Sequence, residues 1–551
     1  MRKLLPISVL VLVFALMAAC APAAPAPADD TGMDDAPMAE GGMAEGGETL
    51  RFGIDAADLG NLDPHYATST PDRTVVSMVF NGLVRYAPGE APALEPDLAT
   101  AIPEPTMDGE QQVWTFELRE GVMCHAGPNT DAYELTSADV VYSLNKAANA
   151  DTSAFAGEYA GMSFAAIDDY TVEVRVETPV SPVLFLPKFA DYAGGFVVCA
   201  QAYEAMADDV VTHPVGTGPF MFQSYTPQDR VVLTANADYW RGAPALASVE
   251  LRYMPDISSR ELGLRAGELD VIDGLDEAQW IESTDAEEAL AVDVFGVGEL
   301  LTIHFNMSIP PMDDPLVRQA IAYAVDREEF QALFGDRVAT ISYSPVPHQL
   351  MDGGLTLEET QELGLDYSYN VERAQELLAE AGYADGFAIE VVTSEMRAYR
   401  APYESLQAQL SQVGIDMSVQ VVDHASMHSQ IRLNTNPIVL YVAYRPNADA
   451  YLTRFFHSDS SVSTGASPDT NFSHYDQIDD LIEEARAETD AERQIELWRE
   501  AQVQILEDMA SHTLLYQNQV YARSTSVDYG HPLVNVLNLN PQITEQTTIT
   551  R

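Results

Sequence analysis

Residues 111–145 read Q-Q-V-W-T-F-E-L-R-E-G-V-M-C-H-A-G-P-N-T-D-A-Y-E-L-T-S-A-D-V-V-Y-S-L-N. Val113, Thr115 and Glu117 alternate with Trp114, Phe116 and Leu118. A period of two predicts a strand with one aromatic and aliphatic face turned to a core. Glu120-Gly121 ends the pattern, and a loop runs through Gly127-Pro128-Asn129. Thr136, with Asp139 three residues on, predicts a helix start. A side-chain oxygen there meets free backbone N–H groups, and a carboxylate sits at the positive end of the helix. Val140, Val141, Leu144 and Ala147 supply the apolar face.

Outward from this stretch the same two periods recur. Residues 50–54, 171–176, 300–306, 387–393, 415–422 and 514–516 read as strands. Residues 73–81, 372–381, 405–412 and 475–508 read as helices, and Gly382 stops the second of them. Residues 88–108, rich in Pro and acids, read as irregular. Strands alternating with helices predict α/β architecture. Val215-Gly216-Thr217-Gly218-Pro219-Phe220 brings two glycines around a threonine, but the phosphate-cradle spacing G-x-x-x-x-G-K-[ST] is not there.

The chain has 551 residues, 46% of them hydrophobic, and a formal charge of -57. Lysine occurs only at Lys3, Lys146 and Lys188. Such a surface repels polyanions, which excludes nucleic acid as a partner of the folded body. Arg2 and Lys3 precede an apolar run, residues 4–16, too short for an ordinary membrane span. The run ends in Leu16-Met17-Ala18-Ala19-Cys20, which resembles a bacterial lipobox. Residues 1–20 are therefore expected to be a lipoprotein signal peptide, with lipidation at Cys20. Residues 21–47, made of Pro, Ala, Gly and acids with the repeat M-A-E-G-G-M-A-E-G-G, are expected to be a flexible tether. Two further cysteines, Cys124 and Cys199, permit a disulfide in an exported chain; two free thiols are the other reading.

W-T-F-E-L-R-E-G-V, the His125-Ala126-Gly127 loop and L-T-S-A-D-V-V-Y-S-L together resemble the extracytoplasmic solute-binding proteins of peptide/nickel-type ABC importers, family 5. The resemblance continues through Asn61-Leu62-Asp63-Pro64, the 215–220 loop, residues 236–249, L-R-A-G-E-L-D at 264–270 and A-Y-A-V-D-R-E at 322–328. It implies a two-lobed periplasmic-binding-protein-like fold of type II, in the large cluster with an extra subdomain in the first lobe. Lobe I is then 48–298 plus 514–551, and lobe II is 299–513. The implied function is capture of a peptide or peptide-like, carboxylate-bearing solute and its delivery to an ABC permease and its ATPase subunits, with no cofactor and no catalysis. A sugar, an opine-like compound or a nickel chelate on the same scaffold is the alternative.

The site residues follow in the same way. Asn-Leu-Asp-Pro places Asp63 in a loop that the family brings to the ligand cleft; starting the turn before Pro64 is its other role. Residues 441–458 resemble the family's pocket segment A-D-Y-x-(D/E)-P-x-x-F-L. In peptide-binding members an acid after the first alanine holds the peptide ammonium, whereas here Ala443 is followed by Tyr444 and Arg445. Asp449 is the nearest substitute acid. Arg445, with Arg397 and Arg400, suits a carboxylate, while Tyr444, Tyr399 and Trp280 are candidate walls. His424 and His428, at i and i+4, form a weak metal candidate without an identified third ligand. No H-E-x-x-H, G-x-S-x-G or Rossmann glycine pattern in strand–helix context supports an enzyme.

Overall fold

The computed structural model describes residues 47–190 and 194–551, apart from the side chains at 207, 208, 297, 397 and 398. The alternating stretch forms the strand Gln111–Glu117. It lies in a four-stranded antiparallel sheet between Thr106–Asp108 and Thr171–Val176, with Met162–Asp168 at the far edge. Trp114 and Phe116 are fully buried, and Trp114 stacks on Phe185 with ring centroids 4.1 Å apart. The helix Ser137–Ala147 follows where Thr136 predicts it, and the Asp139 carboxylate accepts from the Thr136 N–H at 3.0 Å. Cys124 and Cys199 are bonded, S–S 2.00 Å, tying a short hairpin to the segment that enters the helix Ala200–Met206.

Among the described residues the main sheet has nine strands. Its order is Phe220–Thr226, Arg230–Ala235, Ser248–Tyr253, Thr49–Ile54, Val271–Asp273, Ser511–Ser524, Leu290–Phe305 and Ile438–Ala443, with Ala339–Ile341 also paired to Ser511–Ser524. Thr49–Ile54 runs parallel to both of its neighbours. The expected strands at 300–306 and 514–516 are the middles of two much longer ones, Leu290–Phe305 and Ser511–Ser524, which pair antiparallel along their length. The expected lobe boundaries at 298/299 and 513/514 fall inside these two strands. Between Phe295 and Glu299 the register of the two strands shifts, a bulge within a continuous strand.

A second sheet pairs Phe387–Ser394 with Ile415–Val422 in parallel, connected by the helix Arg397–Ser411. That helix starts well before residue 405 and contains Pro402, whose signal as a breaker is overridden by burial of Tyr403, Leu406 and Leu410. The helical region expected at 475–508 is two helices, Asp479–Ala487 and Ala491–Glu507, the second capped by Asp490. Ser181 links the first-sheet region to this second helix, its buried hydroxyl donating to Gln494 Oε1 at 2.7 Å. Among the described residues, no helix is long and apolar enough to cross a membrane.

Candidate ligand-binding site

The two long strands fall out of register at one place. Phe295 faces Gln519, and the next pair is Glu299 with Gln517, so four steps on one strand match two on the other. The extra residues form a bulge, the device by which a strand re-aims a side chain. Gly298 sits so close to its neighbour that an added Cβ would meet Tyr516 Cδ2 at 2.3 Å, so no larger residue fits without displacement. The C-terminal segment seals the other side: the Gly296 N–H donates to Val534 O at 2.9 Å, and the Val536 N–H to Gly296 O at 2.8 Å.

The bulge opens onto a cavity of about 330 Å³ at the carboxyl ends of the parallel strands Thr49–Ile54 and Val271–Asp273. Strand ends of this kind are where open α/β sheets hold ligands. Asp55, Asp273, Asp276 and Glu299 line it, and no Lys, Arg or His is among the described lining residues. Asp55 and Asp273 are tied together and backed from beneath. The Asp55 N–H donates to Asp273 Oδ2 at 2.5 Å, and Arg260, only 1% exposed, reaches Asp55 Oδ2 at 3.3 Å and donates to Asp273 O at 3.2 Å. Burial pushes the Asp273 carboxyl up, against the Asp55 N–H, Tyr521 and Arg260.

Glu299 differs. Burial pushes its carboxyl up and the Asp276 charge adds to the effect. Among the described residues no hydrogen-bond or ion-pair partner meets its carboxylate. Its cross-strand neighbour Gln517 is 8% exposed, and Nε2 of that side chain has no hydrogen-bond partner.

A second polar group lies within electrostatic reach of Glu299. The Tyr399 phenol is pushed up to about 12, first by burial and then by Glu299 and Tyr441. Its ring packs on His424, centroids 4.9 Å apart. His424 Nε2 and His428 Nε2 are 3.2 Å apart, His424 Nδ1 lies 3.2 Å from Ser394 Oγ, and Arg432 Nη1 lies 3.4 Å from His428 Nδ1. Burial, His424 and Arg432 all hold His428 below the usual imidazole range. The two histidines are thus together as expected from their spacing, but they face each other across a hydrogen bond with a guanidinium beside them. Among the described residues no group of three or more His, Cys, Asp or Glu is arranged to hold a metal ion.

The residues singled out in sequence lie elsewhere. Asp63 is buried in a turn, where Lys146 Nζ contacts both carboxylate oxygens at 2.8 and 2.9 Å and the His65 N–H donates to Oδ1. Arg445 donates to Tyr444 O and Thr470 Oγ1, and its guanidinium lies 4.8 Å from the Phe455 ring centroid. Burial lowers its pKa, with Asp469 opposing at 3.9 Å. Tyr444 is half-buried against the core that contains Trp114 and Phe116. Asp449, in the first turn of the helix Ala448–Phe456, has Arg486 Nε at 3.5 Å, and burial raises its pKa. Arg400 is exposed and pairs with Glu404 at 3.2 Å. None of these lines the cavity at the bulge. Trp280 stands behind it, packed against Gly274. Arg397 heads its helix, and its side chain lies outside what is described, as does Cys20. The residues that sequence reasoning missed are Asp55, Asp276, Glu299 and Gln517. The available signal was Gly296-Val297-Gly298-Glu299, a glycine pair inside a strand pattern, which marks a bulge.

The chain matches the family model "Bacterial extracellular solute-binding proteins, family 5 Middle" over residues 93–468. Di/tripeptide-binding protein 2 of Pseudomonas aeruginosa is 26% identical over 511 residues, covering 86% of this chain and 91% of that protein. The dipeptide-binding protein of Escherichia coli is 26% identical over 471 residues, covering 80% and 84%. A solved structure of MoaA from A. tumefaciens R10, in complex with mannopinic acid, is 36% identical with a TM-score of 0.75, covering 92% of this chain and all of that one. The architecture is accordingly the α/β, two-lobed periplasmic-binding-protein-like fold. These relatives are named as binding proteins, not enzymes, and the family works outside the cytoplasm. The chain belongs to the family 5 extracellular solute-binding proteins, the solute receptors of ABC importers.

Proposed function

We propose that the solute captured by this receptor is a short peptide or a peptide-like, carboxylate-bearing amino-acid derivative, seated in the cavity at the bulge. The cavity carries the reading. Its volume of about 330 Å³ falls at the small end of the usual 300–1,000 Å³ for ligand pockets, which suits a solute of a few residues. Its carboxylates suit an ammonium, and Gln517, Asn518 and Gln519 supply neutral amides along the same edge. The P. aeruginosa and E. coli relatives, named for di/tripeptides and dipeptides, support the same class.

Lobe I, 48–298 plus 514–551, and lobe II, 299–513, close about the two long strands and bury the solute. The solute drives closure only through its higher affinity for the closed form. A permease then receives the solute, and its ATPase subunits supply the energy. Residues 1–20 direct export, lipidated Cys20 anchors the chain to the membrane, and residues 21–47 tether the folded body to it.

One observation favours a second reading, a non-peptide solute. The 36% likeness to the mannopinic-acid complex is higher than that to the peptide-binding relatives. Tyr444-Arg445 also stands where peptide-binding members carry an acid. Native mass spectrometry of the purified protein, followed by a thermal-shift screen, separates the two. A co-purified peptide and melting shifts with peptides support the first reading. A co-purified sugar or opine-like solute, with no peptide shift, establishes the second.

A further inference from the structure

The register of the two long strands carries more than a place for a ligand. Glu299 and Gln517 are directly opposed across the antiparallel ladder, so their side chains stand side by side on one face. Both line the cavity. Gln517 is more than nine-tenths buried, and its Nε2 donor has no partner. A buried amide donor left unmade is costly. Glu299 is part-buried, and among the described residues no counter-ion meets its carboxylate. Each is met by a ligand group of the right sense: a cationic donor at Glu299 and an oxygen acceptor at Gln517. Asp55 and Asp273 add two further carboxylates to the same lining. Arg260, the guanidinium nearest these acids, already serves Asp55 and the Asp273 backbone.

Resting on the receptor reading above, we propose that Glu299 and Gln517 form a subsite for a protonated amine flanked by an oxygen acceptor, as in an α-amino carbonyl or an amino alcohol. The subsite replaces the acid that the pocket segment at 443–445 lacks, and it does so from the bulged strand instead. Gly298 is part of the device, because its missing side chain lets the strand pass Tyr516 and present Glu299. A neutral sugar without a basic nitrogen leaves the Glu299 carboxylate unpaired and is rejected.

The test uses the whole folded chain and one panel: free-amine dipeptides, their N-acetyl forms, neutral sugars and nickel–histidine. Wild type, Glu299→Gln and Gln517→Met are compared by thermal shift and by titration calorimetry at pH 7. Binding is expected only for solutes with a free amine. Acetylation should abolish it, and Glu299→Gln should weaken it about tenfold or more, the scale of one charge-assisted hydrogen bond. Unliganded Glu299→Gln should melt higher than wild type, which a merely structural glutamate would not give. Equal binding of acetylated solutes, unchanged binding by Glu299→Gln and Gln517→Met, or no shift with any free-amine member overturns the amine subsite. The receptor reading is judged separately, by whether native mass spectrometry finds any co-purified small solute.

Discussion

Asp97 and Glu299 are both acids brought into the fold, and they are treated in opposite ways. Asp97 is 1% exposed and saturated: Asn81 Nδ2 and the Gly82 N–H donate to one oxygen, Arg241 Nε and Nη2 to the other, all between 3.0 and 3.3 Å. Glu299 stands at the cavity with no described partner and a carboxyl pushed up by burial. The first is what a core requires, since a buried charge is tolerated only when paired and hydrogen-bonded. The second is a cost that the core does not explain. The proposed amine subsite gives that cost a purpose; an unmet donor alone does not mark a site, since Trp114 Nε1 and both His304 ring nitrogens, deep in the core, also lack hydrogen-bond partners.

Acid breaks the core most severely. His65, His125 and His304 are fully buried, and burial drives their pKa values down to about 3, 4 and 3. In the unfolded chain they titrate near 6.5. Above that value neither state binds the protons, and stability is complete. As pH falls below it the unfolded state binds protons that the folded state refuses, so stability is lost progressively from about 6.5 down to 3–4. Denaturant melts at pH 7 and pH 5 should differ by about 2 kcal/mol per histidine; replacing one of them by Gln should remove its share. The next effect is Asp97→Ala, expected to cost about 3–5 kcal/mol by removing the shared acceptor of Asn81, the Gly82 N–H and Arg241, which among the described residues keeps only Glu95 at 3.7 Å as an ion-pair partner, measured in the same melts.

The open region should respond less and partly with the opposite sign. Gly298→Ala forces a Cβ against Tyr516 and should cost about 1–3 kcal/mol as overpacking, while weakening solute binding through displacement of Glu299; calorimetry reads both. Glu299→Gln should stabilise the unliganded protein at pH 7, because it removes a charge that burial and Asp276 both disfavour. A raised folded-state pKa means that the folded chain binds the proton before the unfolded one. Wild type therefore gains stability as pH falls toward the ordinary carboxylate range, and the advantage of the variant shrinks over that interval. An equal or larger loss of stability in Glu299→Gln would make Glu299 a second Asp97.

Much of the fold was legible because local patterns and packing agree. Trp114 and Phe116 alternate toward a core and are buried in it; Thr136 and Asp139 announce a helix and begin one. The site was less legible for three physical reasons. The glycine pair at 296 and 298 is a signal shared by a bulge and a break until the partner strand is known. Glu299 and Gln517 meet across more than 200 positions of sequence, and no local period pairs them. Arg445, Asp449 and Asp63 carry the right chemistry for a ligand, and the fold gives them Thr470, Arg486 and Lys146 as neighbours, with Arg445 Nε and Asp449 Oδ1 left without a hydrogen-bond partner. Residue type at a motif position indicates what a side chain can hold; which neighbours it meets is set by contacts distant in sequence.

The most direct measurement is a crystal structure of the protein with the solute that co-purifies with it or that the panel identifies. The account predicts that solute in the cavity at the bulge, with a basic nitrogen about 3 Å from the Glu299 carboxylate and an oxygen at similar distance from the Gln517 amide. A solute bound against Arg445 and Asp469, with Glu299 still unpaired, would contradict it.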